Sequence, residues 1–84
     1  MPYNNITMSS GTYFEGAVSV DPDIMSGAPV FAGTRVPVKN LFDYLASGKS
    51  VYDFLEAFDW VKREHVEKVL GSIYSFVFES GQAA

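Results

Sequence analysis

The chain has 84 residues, no cysteine, one histidine and a formal net charge of −4. That length sets one domain. The composition excludes disulfides, a thiolate zinc site and a histidine cluster, and the acidic balance opposes tight nucleic-acid binding by a monomer, because phosphate contacts need clustered Lys and Arg.

A domain this small buries a modest core and commonly gains stability from a metal, disulfides or a second subunit. With cysteine absent and histidine single, oligomerisation is the expected supplement, and a homodimer is its simplest form. The high aromatic share, 15%, raises the apolar area each residue can bury.

In chain order, residues 1–12 are polar, carry no period and read as a loose N-terminal arm. The opening "MPYNNITMSS" has neither a basic segment nor an apolar one, so no signal peptide is expected. No stretch approaches a membrane span, and the expected location is cytoplasmic. "YFEGAVSV", residues 13–20, is rich in aromatic and β-branched residues and reads as a strand. "DPDIMSGAP" then reads as turns. Asp21 and Asp23 belong to such a turn, since the other ligands of a calcium loop are missing.

In "GAPVFAGTRVPVKNL", Val30–Phe31 and Arg35–Val36 flank a glycine, the pattern of a tight hairpin in which Gly33 supplies the positive φ. Pro37 ends the second piece and suits the first position of a helix. Gly33, Thr34 and Pro37 are therefore structural turn residues. A single glycine is a poor phosphate cradle, so a turn is preferred there to an anion site. Arg35 pairs a carboxylate or carbonyls, or meets a partner along an open strand edge.

From Val38 the period becomes helical. Val38, Leu41, Phe42 and Leu45 share one face, and Gly48 suits a left-handed stop. Ser50 and Asp53 resemble a capping box, and Val51, Phe54, Leu55 and Phe58 repeat the apolar spacing. A third helix is expected from Arg63 with Lys62 at its N-cap, where Val61 and Val66 form a hydrophobic staple. Its apolar stripe runs through Val66, Val69, Leu70, Ile73, Phe76 and Val77. The expected fold is mainly α. It is a three-helix, homeodomain-like helix-turn-helix unit, preceded by a short strand and a hairpin. Residues 13–80 form the domain and residues 81–84 a frayed tail.

"SGAPVFAGTRVPVKNLFDYLASGKSVYDFLEAF" followed by "REHVEKVL" resembles the prokaryotic family catalogued as domain of unknown function four-three-three. "GTRVPV" with the downstream "SGKS" carries the likeness, which spans about residues 18–77. The resemblance implies a helix-turn-helix-like fold and the antitoxin half of a type II toxin–antitoxin pair. Its partner would be a PIN-like ribonuclease toxin of the Vap type, and the antitoxin would repress its own operon. The family commonly has Ser or Thr where Lys62 stands. Losing such a cap costs about 1 kcal/mol, and a cation there opposes the helix dipole. Glu64 in the first turn offsets this; the other reading is that Lys62 and Arg63 meet phosphate.

On a helix-turn-helix protein the start of the third helix reads bases, which makes Lys62, Arg63, His65 and Lys68 the candidate DNA contacts. Glu64 and Glu67 interleave with them, so a solvated face with pairs such as Glu64–Lys68 is an equal alternative. Tyr74 and Phe78 broaden an apolar helix beyond what three short helices can bury, which points to a dimer or toxin interface. Trp60 either caps the core or anchors a partner. No catalytic set, metal cluster or cofactor motif is present, so neither an enzyme nor a cofactor is expected. The function expected from the resemblance is an antitoxin. A stand-alone DNA-binding regulator and a dimerising interaction module are the alternatives.

Overall fold

The computed structural model describes residues 8–79. Its elements are β1 (Gly11–Tyr13), β2 (Val18–Val20), β3 (Val30–Phe31), α1 (Val38–Ala46), α2 (Val51–Ala57) and α3 (Arg63–Phe78). The strands form one antiparallel sheet in the order β1-β2-β3. Gly11 stands opposite Val20 and Tyr13 opposite Val18, while Val18 also faces Phe31. The fold is a mixed, helix-rich one in which a small meander precedes three helices.

Two strand expectations are corrected. Residues 13–20 are not one strand: the chain reverses between Tyr13 and Val18, so β1 and β2 are the two arms of a hairpin. Phe14, Glu15 and Gly16 all take positive φ there, at 54°, 57° and 85°. Phe and Glu are uncommon in that region, and no Asn-Gly or Asp-Gly announces the turn. The second correction concerns Gly33. β3 pairs along β2, and the returning chain forms no strand of its own: it adds a single bridge between Val30 and Pro37, flanked by 2.9 Å bonds from the Phe31 N–H to the Val36 carbonyl and from the Val38 N–H to the Pro29 carbonyl. Pro37 has no N–H to extend that ladder. Gly11 and Thr12, read as part of the arm, belong to β1; residues 1–7 and the tail lie outside the described residues.

The core lies between the sheet and the helices. Val18, Phe31, Leu41, Phe54, Val66 and Val69 are fully buried in one cluster with Ala17, Val36 and Val61. Phe54 is its centre: its ring lies 5.7 Å from Phe31, 5.6 Å from Tyr44 and 5.0 Å from Phe58. One aromatic side chain thus ties β3, α1 and the end of α2 together.

Local chemistry sets the helix ends. At the end of α1, Gly48 takes φ 91°. Its N–H bonds the Leu45 carbonyl at 3.1 Å and the Lys49 N–H bonds Tyr44 at 3.0 Å, which closes the two orphan carbonyls of a Schellman motif. At α2, the Asp53 N–H donates to Ser50 Oγ at 3.0 Å and the Ser50 N–H donates to Asp53 Oδ2 at 2.9 Å, a reciprocal capping box. The Ser50 N–H, and after it the Ser50 hydroxyl, hold the Asp53 carboxyl below its ordinary pKa, with help from Lys49. Lys62 occupies the N-cap of α3 and makes no side-chain cap bond. Val61 and Val66, at N′ and N4, are both buried and staple the entry.

Candidate partner-binding surface

α3 has two halves with opposite surroundings. The first turns place Val66 and Val69 in the core. Beyond Gly71 it is Ser72 and Ser75 that stay half-buried, while the apolar side chains are exposed. Ile73 is 37% exposed, Tyr74 59%, Phe76 75%, Val77 51% and Phe78 53%. The expectation that Phe76 and Val77 fill the core stripe is therefore overturned. Ile73 and Val77 follow Val66 and Leu70 at seven-residue spacing, so the stripe is continuous along the helix. Its second half is exposed, whereas its first half is buried. Tyr74 and Phe78, one turn apart, meet with ring centres 5.0 Å apart and planes tilted by 47°, and flank the stripe.

The four basic candidates at the start of α3 do not present one face. Lys62 and Arg63 are exposed. Arg63 Nε donates to Glu67 Oε2 at 3.0 Å, an i,i+4 pair open to solvent. Lys68 turns the other way, toward the β1–β2 turn, where Nζ lies 3.5 Å from the Glu15 carbonyl, the outer limit of a hydrogen bond. His65 is half-buried, and its Nδ1 is buried without a hydrogen-bond partner among the described residues. The Glu64–Lys68 pair considered above is not formed; Lys39–Asp43 and Arg63–Glu67 are the ion pairs among the described residues.

The remaining candidates sit apart. Gly33 takes φ 79° in the turn after β3. Thr34 closes that turn: its Oγ1 donates to the Phe31 carbonyl at 2.7 Å and accepts from the Val36 N–H at 3.0 Å. Pro37 is the N-cap of α1. Arg35 is exposed between them, with no ion pair among the described residues. Trp60 is exposed in the α2–α3 connection and meets Phe58 edge-on at 5.9 Å. Asp21 accepts the Asp23 N–H at 2.8 Å, an Asx turn, and no three His, Cys, Asp or Glu side chains gather as a metal site among the described residues.

A second apolar feature was not legible in the sequence. Met8, Phe14, Val18, Pro29, Pro37 and Val38 line a hollow of about 370 Å³. The left-handed backbone at Phe14 places its ring there, and no sequence rule signals that conformation for phenylalanine. Lys39 is at the rim, but its ammonium is held by Asp43 at 2.9 Å. The hollow therefore lacks the convergent polar groups that orient a small ligand.

Residues 18–71 match the family described as protein of unknown function DUF433. The chain belongs to the DUF433 family. The DUF433 span runs from the first residue of β2 to Gly71 and holds the turn at Gly33, both helix caps and the start of α3. It leaves out β1 and the uncovered segment from Ser72 to Phe78. The chain is also 43% identical over 58 residues to an uncharacterized protein of Sinorhizobium fredii, y4eO. That alignment takes in 69% of this chain and 25% of the relative, so the chain spans about a quarter of that relative's length. No solved structure matches the chain. No helix among the described residues is long and apolar enough to cross a membrane.

Proposed function

We propose that this DUF433 protein is the antitoxin of a type II toxin–antitoxin pair. It is a cytoplasmic binding protein, not an enzyme, that neutralises a PIN-like ribonuclease and represses its own operon. The observation that carries the binding role is the uncovered apolar face from Ile73 to Phe78. Apolar patches of that kind mark sites where another macromolecule sits. The identity of the partner rests on the family resemblance. The succession of α2 and α3, joined by the short connection Phe58–Lys62, is what a helix-turn-helix reading requires, and Lys62 with Arg63 gives its reading helix an exposed basic start.

Co-expression with the neighbouring open reading frame tests the reading. The expected outcome is copurification and rescue of growth from a toxic neighbour. A harmless neighbour that does not bind overturns the antitoxin role. Operator binding is tested separately by the shift of an upstream DNA fragment across a salt series, with steep weakening expected as salt rises. A shift together with a harmless neighbour would make the protein a stand-alone regulator. No shift, alone or in complex, would remove the repressor part and leave toxin binding untouched.

A further inference from the structure

We infer that the distal half of α3 is a self-association surface, on which a second copy of this chain packs antiparallel across a two-fold axis. The inference rests on the reading of that face as an interface and goes further by assigning it to a second copy, so that the ribonuclease would meet the dimer on another face.

Three observations favour a second copy. The first is area. Ile73, Tyr74, Phe76, Val77 and Phe78 are on average a little over half exposed. With about 150–250 Å² available on each large side chain, they offer roughly 500 Å² per copy. Two copies together then bury about 1,000 Å², the level at which specific interfaces begin. The second is charge. Residues 69–78 carry no ionisable acid or base apart from the phenol of Tyr74. The chain as a whole is at −4, so two copies repel wherever charged faces meet. The distal half of α3 is a face that like chains can join without that repulsion. It also offers no charge by which a foreign acidic or basic surface would be selected.

The third observation is symmetry. At 3.6 residues per turn, Ile73 and Val77 form the centre of the stripe, Tyr74 and Phe78 one flank, and Phe76 the other. A two-fold axis crossing two antiparallel helices brings like flanks together. Phe76 then meets Phe76 of the second copy, the Tyr74–Phe78 pairs meet each other, and the Ile73–Val77 rows close the middle. The exposed rings are thereby covered by one operation. The segment lies beyond the DUF433 match, which ends at Gly71.

Sedimentation equilibrium of the full chain at tens of micromolar tests the inference, with circular dichroism as the measure of folding. The expected species is a dimer. Phe76→Asp, at the most exposed position, should keep the helical spectrum and weaken the dimer by at least about tenfold, since it sets two carboxylates against each other. Phe76→Cys should form a disulfide-linked dimer on oxidation, in a chain that has no other cysteine. Ser47→Cys, exposed at the end of α1, should not. A monomeric wild-type chain overturns the inference. So does a dimer that Phe76→Asp leaves intact while Ser47→Cys crosslinks and Phe76→Cys does not. If the wild type is monomeric but binds the ribonuclease through Phe76, the antitoxin reading stands and only the second copy falls. If the dimer forms and no ribonuclease binds, the reverse holds.

Discussion

At the scale of single residues, backbone conformation decides the sign of otherwise similar changes. Gly33 and Gly71 each have open space where a Cβ would stand, but Gly33 has φ 79° and Gly71 lies within α3. Gly33→Ala should therefore destabilise by about 1 kcal/mol, through conformation alone. Gly71→Ala should stabilise by about 0.5–1 kcal/mol, as Ala loses less entropy in a helix. Urea midpoints of the two variants check both signs. Ser50→Ala should cost about 1 kcal/mol by removing the acceptor for the Asp53 N–H. Asp53 adds a pH dependence. Its carboxyl is held below its ordinary value in the folded chain, so its contribution is complete above the unfolded pKa and fades as pH falls through the folded one. The stability difference between wild type and Asp53→Asn should be present at neutral pH and disappear in acid.

At the scale of elements, α3 combines a weak start with a well-anchored first half. Lys62 at its N-cap makes no side-chain bond, and Glu64 is the acidic residue of its first turn. Lys62→Ser should supply the missing acceptor and stabilise the chain by about 1 kcal/mol. If Lys62 meets phosphate, the same variant should bind operator DNA less tightly, with the salt slope reduced by about one. A gain in stability with no loss of DNA binding would assign Lys62 no role at the operator. The core offers a harsher test. Phe54→Ala removes the ring that joins β3, α1 and α2, at about 3–5 kcal/mol. Against a total on the order of 5–10 kcal/mol for a chain this size, cooperative thermal unfolding should drop sharply or vanish.

At the scale of the whole molecule, the chain places several aromatic and aliphatic side chains where its own body cannot cover them. Association through that face makes stability depend on concentration. The thermal midpoint should rise with protein concentration in the wild type and stay constant in Phe76→Asp, which a calorimetric dilution series checks. The basic residues at the start of α3 are divided in the folded chain. Arg63 is engaged with Glu67, and Lys68 leans back to the β1–β2 turn. The proposed operator binding would draw, in a single copy, on little more than Lys62 and Arg63, and a dimer would double that number on one assembly.

The sequence by itself determined the features that depend on neighbours a few residues apart. The three helices, the Ser50–Asp53 box, the stop at Gly48 and the Val61–Val66 staple all come from groups a few residues apart in the chain. The family is legible for a similar reason, since its two motifs, GTRVPV and SGKS, are short and lie close together in the chain. Only the tertiary structure decided the rest. The reversal at Phe14–Glu15 puts two non-glycine residues in a left-handed conformation, which no local preference announces. An apolar stripe reads the same whether it is covered or bare. Val66 and Phe76 belong to one stripe, and one is buried while the other faces solvent, because coverage depends on which elements pack beside each turn of α3 and not on the stripe itself.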